Sequence, residues 1–235
     1  MQAEGKVVEL SLLDGLPAAY ISCPPRLIPP PGTYLLAYLP GSGSAVATVV
    51  YAGGLLAETQ RIGINGFLAA GPLPGSWTPG ARLTLRGPLG HGFSMPSSVR
   101  RVALVAFHSS PRPLLALLDG ALKQKAAVTL VCESTLDDLP LQVEIQPLRA
   151  LAEICNWADY LAFDTPRESL PLLRQNLDSV LHNKFRGEAQ VLIRTPMPCG
   201  GLAECGVCTV DIRGRSQLAC MDGPVFDLNS AIAKI

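Results

Sequence analysis

Four cysteines crowd the end of the chain in the pattern Cys199-x5-Cys205-x2-Cys208-x11-Cys220. This grouping constrains the backbone more than any other feature, because the thiols converge only if the loop between them curls tightly. Gly200, Gly201 and Gly206 supply backbone angles closed to other residues, so the loop can turn its N–H groups inward. Three thiolates on one short loop and a fourth from a later turn is how plant-type [2Fe–2S] proteins hold their cluster. With two ferric ions, two sulfides and four thiolates, such a centre carries a charge of about −2, which inward N–H dipoles stabilise. The competing reading is structural zinc, ordinarily held by two close ligand pairs, whereas here only Cys205 and Cys208 form one.

The other cysteines carry less. Cys132 closes the apolar run Ala127–Val131 and Cys155 lies in a helical pattern, so both read as small core residues. Cys23, before Pro24 and Pro25, reads as a surface loop thiol. Charge is balanced, with 19 basic and 19 acidic residues, which argues against a nucleic-acid partner. Only 16% of residues are charged and 48% are hydrophobic, so a disordered chain is excluded. No apolar run reaches bilayer length, and the start MQAEGKVVEL lacks the pattern of a secretory signal. The expected setting is the cytoplasm, without membrane insertion.

Glycine and proline crowd the first hundred residues and thin out between Val102 and Gln190. Short β-prone runs fill the early part: Val7–Leu10, Thr33–Tyr38, Ala45–Tyr51, Gly66–Ala69 and Arg82–Leu85. Turn signals such as Pro29-Pro30-Pro31-Gly32 and Pro79-Gly80 break them, which predicts a small antiparallel barrel. Strands then alternate with helices: Arg101–Phe107, a helix Leu114–Lys123, Ala127–Cys132, Leu141–Ile145, a helix Leu148–Trp157, Tyr160–Phe163, a helix Glu168–Leu181 and a closing strand Ala189–Ile193. That order implies a parallel sheet with right-handed crossovers. The expected organisation is an N-terminal antiparallel β-barrel (1–94), a nucleotide-binding-like α/β domain with a parallel sheet (95–194) and a small [2Fe–2S] segment (195–235).

The tail Cys199-Gly-Gly-Leu-Ala-Glu-Cys205-Gly-Val-Cys208, followed by Cys220-Met-Asp-Gly-Pro-Val-Phe226, resembles the iron–sulfur segment of the electron-transfer subunit of dihydroorotate dehydrogenase. Gly87-Pro88-Leu89-Gly90-His91-Gly92-Phe93 is similar to the Gly-Pro-Leu-Gly-x-Gly-Phe stretch joining that family's flavin and nucleotide domains. The resemblance covers essentially the whole chain. One departure is that five residues, not four, separate the first two cysteines. The family is ferredoxin-reductase-like: it holds FAD on the barrel, receives NADH on the α/β domain and passes electrons through the cluster to or from a flavin-containing catalytic partner. The resemblance thus implies a part in pyrimidine biosynthesis, cluster ligands Cys199, Cys205, Cys208 and Cys220, and cofactor contacts at Thr48, Gly87, Pro88, Leu89, Gly90 and Gly92. The alternative is a non-redox interaction or regulatory subunit with structural zinc on the same four cysteines.

Two of the family's binding motifs are absent. Its Arg-Pro-x-Ser strand grips the flavin pyrophosphate, but Ala45–Tyr51 contains no arginine, leaving Thr48 for the hydroxyl and Arg61 as a substitute cation. FAD therefore rests on the resemblance rather than on a complete motif. The first strand-to-helix turn, Phe107–Pro113, has no glycine triplet and contains two prolines, which disfavours NAD. Ser109, Ser110 and Arg112 there read as a helix cap with an exposed arginine. His91 reads as a solvent-facing loop residue, His108 as a strand-end cap or site residue, and His182 as a helix-end cation; Trp77 and Trp157 read as packing.

Overall fold

The computed structural model describes residues 1–41, 46–54, 65–70, 72–134, 136, 139–180, 185 and 187–233. Ala45, Arg61, Leu181 and His182, which figure in the expectations above, lie outside the described residues.

Strands β1 (Gln2–Leu13), β2 (Leu16–Ser22), β3 (Tyr34–Tyr38), β4 (Thr48–Gly53), β5 (Gly66–Ala70) and β6 (Arg82–Leu89) close into a barrel. Their order is β1-β2-β5-β4-β3-β6 and every neighbouring pair is antiparallel. Alternation sorts the side chains: Leu35 and Ala37 face the interior with Val7, Ile21, Val50, Phe67 and Leu85, while Tyr34 and Leu36 face outward onto the second unit. Strand β2 is absent from the sequence expectation. Its hairpin has a two-residue loop, with Asp14 at φ 53° and Gly15 at φ 75°, the left-handed pair that matches strand twist. Cys23 also differs from expectation: it is 6% exposed and packs in the barrel core.

The second unit is a six-stranded sheet in the order β14-β11-β10-β7-β8-β9, built from β7 (Arg101–Ala106), β8 (Ala127–Val131), β9 (Val143–Gln146), β10 (Tyr160–Pro166), β11 (Glu188–Arg194) and β14 (Val225–Asp227). Strands β7 to β11 pair in parallel, and β7, β8 and β10 carry the near-continuous apolar runs of strands covered on both faces. Helices α1 (Arg112–Leu115), α2 (Leu118–Lys123), α3 (Leu151–Trp157) and α4 (Leu170–Val180) connect them. The helix expected over Leu114–Lys123 is two pieces, because the Leu117 N–H bonds back only three residues, to Leu114. Nor does Ala189–Ile193 close the sheet. Strand β14 from the cysteine-bearing tail adds antiparallel outside it, and α5 (Leu228–Ile232) follows, capped by Asp227. A two-stranded ribbon, β12 (Thr209–Ile212) with β13 (Arg215–Leu218), fills the tail between.

Barrel and sheet are stitched by an ion pair. Arg112 Nε and Nη2 donate to the Asp14 carboxylate at 2.8 and 2.9 Å, with both side chains 4% exposed. The arginine expected to be exposed at the turn is therefore turned inward. No helix among the described residues is long and apolar enough to cross a membrane. Replacing Asp14 by Asn would take a charged, bidentate partner from the buried Arg112 guanidinium. The unfolding free energy should fall by about 3–5 kcal/mol, read from guanidinium midpoints at unchanged slope; a loss under about 1 kcal/mol would show that the seam is held elsewhere.

Candidate functional site

Among the described residues, two clefts open where barrel and sheet meet, at the carboxyl ends of the parallel strands, where open α/β sheets take ligands. The first, about 440 Å³, runs between Thr48, Val49 and Tyr51 of β4 and the segment Arg194–Pro198 beyond β11. The second, about 520 Å³, is bordered by Asp14, His108, Ser109, Ser110 and Ser134. Pro72 and Arg194 wall both.

The cysteine loop begins at the wall of the first cleft, Cys199 following Pro198 directly. Its thiols act on one another in two pairs. The Cys205 thiol beside Cys199, with the backbone N–H groups of Glu204, Leu202 and Cys205, pulls the Cys199 thiol down to about 6. Burial first, then the neighbouring Cys208 thiol, pushes the Cys220 thiol up to about 11, with the Ala203 N–H opposing. The first pair is half-buried to exposed, the second buried. Among the described residues no three His, Cys, Asp or Glu side chains gather closely enough to share one metal ion.

The loop lies against the outer face of the barrel. Gly200 and Gly201 adopt φ of 65° and 68°, and a Cβ on them would stand 2.9 Å from the Tyr38 hydroxyl and 2.7 Å from that of Tyr34. Tyr34 Oη donates to the Cys220 carbonyl at 3.0 Å, and Arg86 Nη1 to the Gly200 carbonyl at 3.0 Å.

Thr48 lines the first cleft, whereas Gly87, Pro88, Leu89, Gly90 and Gly92 line neither cleft. Gly87, Pro88 and Leu89 end β6, and Gly90 and Gly92 lie in the strap that leaves the barrel after it. Gly90 abuts Gly223 and Pro224, the His91 N–H donates to the Gly223 carbonyl at 2.6 Å, and the Val225 N–H to the His91 carbonyl at 3.3 Å. The exposed His91 ring meets the Asp222 carbonyl at 3.1 Å. His108, at φ 54°, stacks on Phe107 with ring centroids 4.5 Å apart.

Sequence reasoning missed Asp164 and Arg194, although a charged residue directly after the apolar run of β10, and another at the end of β11, are a legible signal. Asp164 is fully buried; its Oδ1 accepts from Arg194 Nε at 2.8 Å, and Oδ2 has no partner among the described residues. Burial pushes this carboxyl up to about 6, with Arg194 opposing. The buried Tyr51 hydroxyl nearby and Thr195 Oγ1 also lack partners among the described residues, and burial raises the Tyr51 phenol.

No protein-family model matches the sequence, and no curated protein matches it either. Solved structures do. An NADH-dependent reduced ferredoxin-NADP oxidoreductase studied for flavin-based electron bifurcation superposes with TM-score 0.74 at 15% identity, over 97% of this chain and 89% of that one. The fold is that of the ferredoxin reductases. The ferredoxin reductase in carbazole 1,9a-dioxygenase gives 0.55 at 16% identity, over 77% of this chain and 63% of that one. A ferredoxin NADP+ reductase from Neisseria gonorrhoeae with bound FAD and NADP gives 0.56 at 12%, over 82% and 98%.

Two outcomes follow from the site's geometry. Gly201→Ala places a Cβ against Tyr34 at a left-handed φ, so the loop should be destabilised by about 1–2 kcal/mol, read as faster amide exchange over 199–208. Tyr34→Phe in the same background should restore part of the protection. Because the folded carboxyl of Asp164 titrates near 6 rather than its ordinary 3.8, it favours the fold below pH about 4, and that contribution fades as pH rises through about 6. The stability of the protein relative to Asp164→Asn should decline across that window in denaturant titrations; a difference independent of pH would contradict the shift.

Proposed function

We propose that this protein is an electron-transfer component carrying one [2Fe–2S] cluster on Cys199, Cys205, Cys208 and Cys220, with a flavin in the adjoining cleft. The observation that carries the reading is the placement of the four-cysteine loop at the edge of the first cleft, bonded to the barrel through Tyr34 and Arg86, with Cys199 beside Cys205 and Cys208 beside Cys220. Two irons each held by two thiolates need such a division, whereas one zinc ion needs all four sulfurs about a single point. The N–H groups aimed at Cys199 and Cys220 are the donors that a sulfur-rich anion uses.

When bound, the cluster would supply a one-electron carrier and the flavin a two-electron one. The chain's own residues position both. The barrel wall at Thr48, Val49 and Tyr51 offers an apolar face for a planar ring, Pro198 sets the cysteine loop at its edge, and the tyrosines of β3 hold the loop. FAD is favoured because relatives of this fold include one with FAD and NADP bound. That finding also weighs against the expected loss of nicotinamide binding, since the cleft beside His108–Ser110 remains open.

The partner is a flavin-containing catalytic subunit of the dihydroorotate dehydrogenase kind, in pyrimidine biosynthesis. Support comes from the two stretches resembling that family's motifs, which touch: Gly90-His91 packs on Gly223-Pro224. Anaerobically purified protein should be brown, with iron and acid-labile sulfide in equal amounts and an electron-spin signal on reduction. Flavin should appear in the supernatant after heating. Colourless protein with one zinc ion per chain would overturn the redox assignment in favour of a structural metal.

A further inference from the structure

Arg86 lies on β6, opposite Leu36 of β3 and Gln2 of β1 in the barrel register, so no acidic side chain faces it across either strand. It is half-buried, and among the described residues no carboxylate pairs with it; the acid two positions along β1, Glu4, is engaged by Arg82 at 3.6 Å. Its Nη1 donates instead to the carbonyl of Gly200, between Cys199 and the rest of the cysteine loop. The Tyr34 hydroxyl feels both Arg86 and the thiols of Cys220, Cys208 and Cys199, so cation, phenol and sulfurs share one electrostatic neighbourhood.

A half-buried guanidinium without a counter-charge is unfavourable unless an anion completes its surroundings. We propose that Arg86 is the fixed counter-charge of the cysteine site, stabilising the reduced cluster over the oxidised one and so raising its reduction potential. This rests on the iron–sulfur reading above. In the step concerned the reduced flavin proposed for the adjoining cleft gives up one electron and the cluster gains it, and no bond to the cluster forms or breaks; the cluster becomes one unit more negative, so a nearby cation favours its reduced state. Arg86 is a tuning and positioning residue, since it touches the loop and not the reacting atoms.

The test compares Arg86→Gln and Arg86→Lys with the unaltered protein in anaerobic redox titrations with dithionite and mediators, followed by visible absorption and electron-spin resonance. Iron and sulfide are counted first; if the unaltered protein holds none, the iron–sulfur reading itself fails. With the cluster present, Arg86→Gln should make reduction about tenfold less favourable, 59 mV lower for one electron, and Arg86→Lys should keep most of the original potential. Added salt should narrow the difference. An unchanged potential in Arg86→Gln, with its cluster intact, overturns the proposal and leaves the iron–sulfur reading standing. If Arg86→Gln assembles no cluster while Arg86→Lys does so at the original potential, the need for positive charge is upheld; if neither assembles one, the guanidinium acts through shape and the proposal falls.

Discussion

The cysteine loop can be pressed onto the barrel only because two consecutive residues lack a Cβ. Gly200 and Gly201 pass beneath the hydroxyls of Tyr38 and Tyr34 at distances that a methyl group would bring to 2.9 and 2.7 Å. Once the loop is that close, its backbone becomes bondable from the barrel, through Arg86 to Gly200 and Tyr34 to Cys220. The same approach brings Cys208 and Cys220 into the apolar cluster that β3 shares with the face of the sheet. The position of the thiols is therefore a property of the barrel's outer surface as much as of the loop.

The tail is also anchored from the other side. Strand β14 pairs with β11, and its approach is fixed by the strap of Gly90 and His91 against Gly223 and Pro224. Arg112 and Asp14 close the opposite seam, with the Gly54 N–H donating to the Arg112 carbonyl at 3.2 Å. Three separate ties hold barrel, sheet and tail together, and the two clefts lie between them. The walls of those clefts come from different units, so their width depends on these ties.

Much of the fold was legible because its signals are local. Apolar runs cut by proline and glycine gave most barrel strands, and the alternation of strands and helices gave the parallel sheet. Strand β2 escaped although Asp14-Gly15 is a hairpin signal, since Pro17 and the paired alanines after it weaken the strand pattern. Cys23 read as a surface thiol because the prolines after it mark a turn, while the packing that buries it comes from distant strands. The four cysteines were legible as a group, but their division into two pairs was not. Arg86 and Tyr34 carry no motif; what makes them matter is strand register, such as Arg86 opposite Leu36, which no local pattern encodes.

The two thiol pairs occupy unlike surroundings, and that difference bears on how the site would hold charge. Cys199 and Cys205 sit toward solvent, and three backbone N–H groups favour thiolate on Cys199. Cys208 and Cys220 are packed among Tyr34, Val210, Ala219 and Phe226, and burial opposes thiolate on Cys220. Negative charge gathered on all four sulfurs would thus be tolerated unevenly, with the buried half dependent on whatever dipoles and cations reach it. The Tyr34 hydroxyl is spent on the Cys220 carbonyl, which turns a donor away from the sulfurs. That leaves the Ala203 N–H and the field of Arg86 to balance the apolar side, and it is there that a change in charge would be felt most strongly.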